Sequence, residues 1–131
     1  MVCLLRAMYF FEESSVAHAK FLVLCRGGDA SKLSSAQYQT LMKKWGQYMQ
    51  KLGAAGALKD GGPLQSSAVT QIVGKAKTIK AKRAGNSTSC VGGYCVLEGK
   101  NIKAIQTLSK TCPHLTLMDG TIEIIPILAM P

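Results

Sequence analysis

The residues whose types could do chemistry are few and scattered. His114 stands in Cys112-Pro-His-Leu115, just after an amphipathic segment. A histidine titrates near neutral pH and can act as a general base. Asp119 is the nearest acid, and no acidic neighbour orients the ring, so the spacing favours a helix-end histidine resting on the last carbonyls. Arg26, Asp29 and Asp60-Gly61-Gly62 fall at expected strand ends or turns, where a pocket can open. There Arg26 would clamp a carboxylate or phosphate; the plainer reading, equally open, is two glycine turns and a solvated arginine. Trp45, with Tyr38 and Met42, sits on an apolar helical stripe. That stripe either lines a small-molecule cavity or is plain core, and the helical spacing favours core. The candidate ligand-binding residues are thus Arg26, Asp29, Trp45, Asp60 and His114, with no catalytic residue assigned.

Two other groups have chemical potential. The five cysteines are Cys3, Cys25, Cys90, Cys95 and Cys112. An odd count without regular spacing is no disulfide framework, and buried reduced thiols are expected instead. Cys90 and Cys95 do not have the spacing of a redox or zinc pair. With histidine only at His18 and His114, no structural metal is expected, and no cofactor motif is present. Lys75, Lys77, Lys80, Lys82 and Arg83 form a candidate basic patch, in a stretch with no acid between Asp60 and Glu98. Such cations neutralise phosphates. No aromatic interleaves them as a base-stacking platform requires, and lysines also keep an edge strand from aggregating, which is the favoured reading.

The elements that must position these groups are legible from periodicity. Lys20-Phe-Leu-Val-Leu-Cys is a continuous apolar run, read as a central strand buried on both faces. Ser34-Ser-Ala-Gln37 fits a capping box that opens a helix. Tyr38, Leu41, Met42, Trp45, Met49 and Leu52 make its stripe, Gly53 and Gly56 its end, and Gly46 a site for close packing. Ala57-Leu-Lys59 is a short strand, followed by a turn at Asp60-Gly-Gly-Pro63. Two runs around Gly74 read as a β-hairpin, with Ala76, Thr78 and Ile79 facing in and Lys75 and Lys77 on one strand face. Gly92-Gly93, before Tyr94, suggests a bulge or a place where a backbone or ligand comes close. Ile102, Ile105, Leu108 and Leu115 give a second helix, stopped by Pro113. Thr121 to Leu128 is the last strand, an edge because of Pro126. The order is β-α-β-β-β-β-α-β, the rhythm of a ferredoxin-like split βαβ with an antiparallel sheet, an α+β fold.

The 131 residues suit one domain, residues 19–131, preceded by an extension at 1–18 that is poorly ordered or a short helix. Met1 to Phe11 is apolar and Ala17-His-Ala19 looks like a cleavage site, but Arg6 interrupts the apolar core and Glu12-Glu13 precede the small residues. The extension is therefore read as a loose attachment or an early start, not a secretion signal. No stretch approaches a membrane span, and a cytoplasmic location is expected. The net charge of +9 admits anionic partners without choosing among them.

Together, several segments resemble the YCII-related family, most closely its DGPF-type branch. They are Phe21-Leu-Val-Leu-Cys-Arg-Gly-Gly28, the Ser34 capping box, Trp45-Gly46, Gly53-Ala-Ala-Gly56, Gly61-Gly-Pro-Leu64, Val91-Gly-Gly-Tyr94, Cys112-Pro-His-Leu115 and Gly120-Thr-Ile-Glu-Ile124 followed by Pro126-Ile127. The resemblance covers about residues 19–128. It implies a ferredoxin-like domain that dimerises face to face through its sheets, the dimeric α+β barrel arrangement. Two places depart from the family. Ala81-Lys-Arg-Ala84 replaces the Asp-Gly-Pro-Phe segment, with Asn86 to Ser89 where acids usually follow. Trp45 stands where the YCII branch has a helix histidine paired with an aspartate. Neither that pair nor the namesake motif carries over.

The reading is a homodimer that binds or transforms a small molecule in a cleft between the sheet and the first helix. The alternatives are an interaction module using the basic hairpin on nucleic acid or another acidic partner, and a structural dimer with no retained site.

Overall fold

In the computed structural model, which describes residues 19–28, 30–66, 68–82 and 90–130, Ala19–Arg26 forms β1. The 1–18 extension, Asp29 and Arg83 lie outside the described residues. Phe21, Val23 and Cys25 are buried, while Leu22, Leu24 and Arg26 between them are half-buried. The expectation of burial on both faces is corrected: the described helices cover one face only. An antiparallel sheet needs cover on just one side, and its strands then alternate.

The first helix, α1, runs over Ser35–Ala54. Its capping box is reciprocal: Gln37 N–H donates to the Ser34 hydroxyl at 3.2 Å, and Ser34 N–H donates to Gln37 Oε1 at 2.8 Å. Past its end Gly56 takes φ +69, a left-handed conformation in which a side chain would be strained. Leu41, Tyr48 and Leu52 are its buried residues, and Trp45 and Met49 pack half-buried beside them. Tyr38 and Met42 are nearly half exposed, so the core seam is rotated from the expected stripe toward Tyr48. Trp45 meets the Tyr48 ring edge to face at 5.8 Å. Gly46 faces open space, so it does not serve close packing.

Leu58–Pro63 is β2 and Val91–Gly99 is β5. Between them β3 (Val69–Val73) and β4 (Thr78–Lys82) pair only with each other as a two-stranded sheet. Ile102–Ser109 is α2, Pro113–Thr116 a short α3, and Thr121–Pro126 is β6. The main sheet has the order β2-β5-β1-β6 with every neighbouring pair antiparallel. Each helical crossover therefore skips one strand, which is the ferredoxin-like split βαβ. Phe21, Val23, Leu97, Tyr48, Leu52 and Ile105 form the core between this sheet and the helices.

Four local expectations change. Asp60 to Pro63 is strand, not turn, because β5 offers it a full register from Val96 to Gly93. Lys75 and Lys77 lie in the hairpin turn, and Lys77 adopts φ +54 there. Ala76, Thr78 and Ile79 are exposed, since no other described element covers that face of the hairpin. Pro113 opens α3 at its first turn, where a missing N–H costs nothing. Pro126 does sit on an edge strand of the described sheet, where β6 pairs with β1 alone among the described strands. No described helix is long and apolar enough to cross a membrane.

Candidate functional site: a cleft between sheet and first helix

The site begins at an irregularity between β1 and β5. Cys25 stands opposite Gly93, but Arg26 stands opposite Val91, so Gly92 is the extra residue of a bulge. Beyond it Gly27 donates its N–H to the Cys90 carbonyl at 3.0 Å. Gly27 and Gly28 then take φ +68 and +73, turning the chain off the sheet toward the one-turn helix Ala30–Lys32 that leads into α1. The detour leaves α1 standing off this end of the sheet, and a cavity of about 510 Å³ opens between them. Cys25, Gly93 and Cys95 line its sheet side, Trp45 and Met49 its helix side, and His114 borders it as well.

His114 is buried on α3. Its Nε2 lies 2.7 Å from the main-chain carbonyl of Arg26. A carbonyl oxygen only accepts, so Nε2 carries the hydrogen and, in the neutral ring, Nδ1 keeps the lone pair. Gly120 makes room for the ring: a Cβ there would stand 2.1 Å from Nε2. The expectation that His114 caps its own helix is corrected, for its partner is the end of β1. Among the described residues no carboxylate orients it.

The sheet divides the other candidates. Arg26 and Asp60 lie on the opposite face from the cavity, because strand alternation sends them there with Leu24 and Val96. Arg26 pairs with Glu123 across β1 and β6. Tyr94 O–H donates to Asp60 Oδ2 at 3.0 Å, and that carboxylate holds the Tyr94 hydroxyl above the usual tyrosine range. Asp60 Oδ1 also accepts from Gly61 N–H at 2.8 Å. Arg26 is therefore not an anion clamp for this cleft. Trp45 and His114 are brought together at the cavity; Asp29 lies outside the described residues. None of the described lysines of the hairpin lines the cavity. Lys80 lies on β4, Lys82 follows at its end, and Arg83 lies outside the described residues.

Sequence reasoning missed Cys25, Cys95, Met49 and Met118 as lining residues. Their only signal was apolar character, shared with the whole core. Gly92-Gly93 did carry a signal, and both the bulge and the cavity are found there.

The thiols are held protonated where they face the cavity. Burial pushes Cys95 up to about 11. Cys25 is raised because its S–H donates to the Cys112 sulfur, and burial adds to this. Cys112 is lowered in return, helped by the N–H groups of His114 and Leu115. A protonated thiol is a poor nucleophile, so these cysteines serve as apolar wall, while the imidazole and the hydroxyl residues Ser31, Tyr38 and Ser66 are the polar groups at the cavity. Among the described residues no group of three or more His, Cys, Asp or Glu is placed to hold a metal ion.

Compared with known proteins, the chain matches no family model, and no curated protein matches it.

Proposed function

We propose that this protein is a YCII-related homodimer, cytoplasmic in location, that binds a small molecule in the cleft between its sheet and α1. The observation that carries the reading is the cavity of about 510 Å³ bordered by Trp45 and His114. That volume is in the range of ligand sites, and the walls are apolar with few polar groups, as such sites are. The strand order agrees with what the family resemblance implies. The reading assigns binding and leaves any reaction open.

The dimer reading rests on the uncovered sheet face. Leu22, Leu24, Val96 and Ile125 make its centre. Charged pairs rim it, Arg26 with Glu123 and Lys59 with Glu98 at 3.5 Å. An apolar centre with a satisfied charged rim is the anatomy of a subunit interface. Native mass spectrometry on protein purified gently from its own cells tests both parts. A dimer carrying a small molecule is expected; a bare monomer at micromolar concentration contradicts the reading.

The hairpin supports a second reading, an interaction arm for an acidic partner such as nucleic acid. Every residue of Val69–Ala81 is exposed, and Ile72 and Ile79 face each other across the hairpin at 68% and 71% exposure. An isolated two-stranded hairpin is marginal in water, and a partner would stabilise it. Salt-sensitive retention on nucleic acid, lost with Lys80→Glu, is the result this reading requires.

A further inference from the structure

The cleft's lining also restricts what can occupy it. No described residue bordering the cavity has a formally charged side chain. An ion inside would lose its hydration without gaining a counter-charge from any of them, which is costly. Of the polar groups bordering the cavity, the His114 imidazole has a defined hydrogen-bonding state. His114 donates through Nε2 to the Arg26 carbonyl, and Nδ1 has no partner among the described residues. In the neutral ring that atom accepts a hydrogen bond.

Gly93 adds a second constraint. It lies inside β5, next to the Gly92 bulge, where glycine weakens a strand. Its φ is not left-handed, and a Cβ built on it would meet only the Gly62 carbonyl, at 3.4 Å, an ordinary contact. Neither backbone conformation nor packing requires glycine there. Opposite Cys25 in the ladder, its missing side chain leaves a flat backbone patch on the cavity side. Across the cavity stand Trp45 and the polarisable side chains of Met42 and Met49, and Met118 also borders it. Thioethers and indole pack well on aromatic faces.

We infer that the cleft takes a neutral, flat aromatic molecule bearing a hydrogen-bond donor, which lies against the Gly93 backbone and donates to His114 Nδ1. This rests on the reading of the cleft as a ligand site. The described lining offers an ion no counter-charge, the glycine patch favours a planar shape, and the imidazole accepts the donor.

Four probes of one ring system test it on the full chain: 2-naphthol, naphthalene, 2-naphthoate and 2-naphthylmethylammonium. The chain has a single tryptophan, so the Trp45 indole N–H gives one resonance that reports the cleft. At neutral pH, 2-naphthol is expected to shift that resonance saturably. Both ions are expected to bind at least ten-fold more weakly. Naphthalene is expected to bind about five-fold more weakly, the worth of one hydrogen bond near 1 kcal/mol. His114→Phe should bring naphthol and naphthalene to equal affinity. Gly93→Val, checked by an unchanged melting profile, should abolish binding of all four. An ion that binds as tightly as naphthol, or naphthalene that matches it on the unsubstituted protein, overturns the inference. Silence of all four probes overturns the aromatic class, while the ligand-site reading is then judged separately by native mass. Binding that survives Gly93→Val removes the cleft as the site and overturns both.

Discussion

The imidazole of His114 donates to the carbonyl of Arg26 at 2.7 Å, fastening α3 to the end of β1 across 88 residues of chain. The contact stands where β1 leaves the sheet, just before Gly27 and Gly28, which border the cleft. A buried imidazole needs such a partner, because an unpaired buried polar group costs about 1–3 kcal/mol.

Gly120→Ala should break this fastening. The new methyl would stand 2.1 Å from Nε2, on a ring that has Gly28 on another side. Overpacking of this kind costs about 1–3 kcal/mol. Urea unfolding measures the loss. In the double variant with His114→Ala the cost should be clearly less than the sum, since the clash partner is gone. Strict additivity would contradict the placement of the ring.

Stability should fall in alkali in part through Cys95. Its folded value is raised to about 11, above that of the exposed thiol in the unfolded chain. The folded state therefore holds its proton more tightly. That contribution is complete below the ordinary thiol range and is lost as pH rises through about 11. Cys25 and Tyr48 are raised as well and act in the same direction. Denaturation midpoints taken from neutrality upward should decline, and Cys95→Ala should decline less steeply. An equal decline would remove Cys95 as a contributor.

The Tyr94–Asp60 pair should be visible in a phenol titration. The carboxylate raises Tyr94, so Asp60→Asn should return its ionisation toward the usual tyrosine range. Ultraviolet difference titration against Tyr94→Phe isolates this residue among the four tyrosines. An unmoved titration would mean the hydrogen bond does not persist in solution.

A charge placed on the uncovered sheet face should separate the proposed dimer. Leu24 stands between Tyr94 and Glu123 in the ladders, at the centre of that face. Leu24→Arg would bury an unpaired cation in an apolar interface, a cost of several kcal/mol. Sedimentation equilibrium should show monomer for the variant and dimer for the parent. A parent that is already monomeric removes this interface.

Much of the architecture was legible locally. The α1 capping box, the Gly56 stop, the hairpin and the edge placement of β6 all follow from short-range rules of hydrogen bonding and backbone freedom. The sheet's one-sided cover was not legible, because β1 reads as an apolar run on both faces. Leu22 and Leu24 are apolar on a face that no described helix covers, and only the packing reveals it. Asp60 to Pro63 carries turn residues and yet is strand, since β5 supplies its ladder partners from a distant part of the chain.

The candidate site shows the same division. Residue types alone marked Trp45, His114 and Gly92-Gly93, because an aromatic, an imidazole and paired glycines each have few reasons to stand where they do. Only the tertiary structure placed Trp45 and His114 at one cavity and sent Arg26 and Asp60 to the far face of the sheet. The physical reason is the two-residue period of a strand. A single bulge at Gly92 changes which residues are opposed, and a side chain's face is settled by its partners across the ladder, which lie far away in sequence.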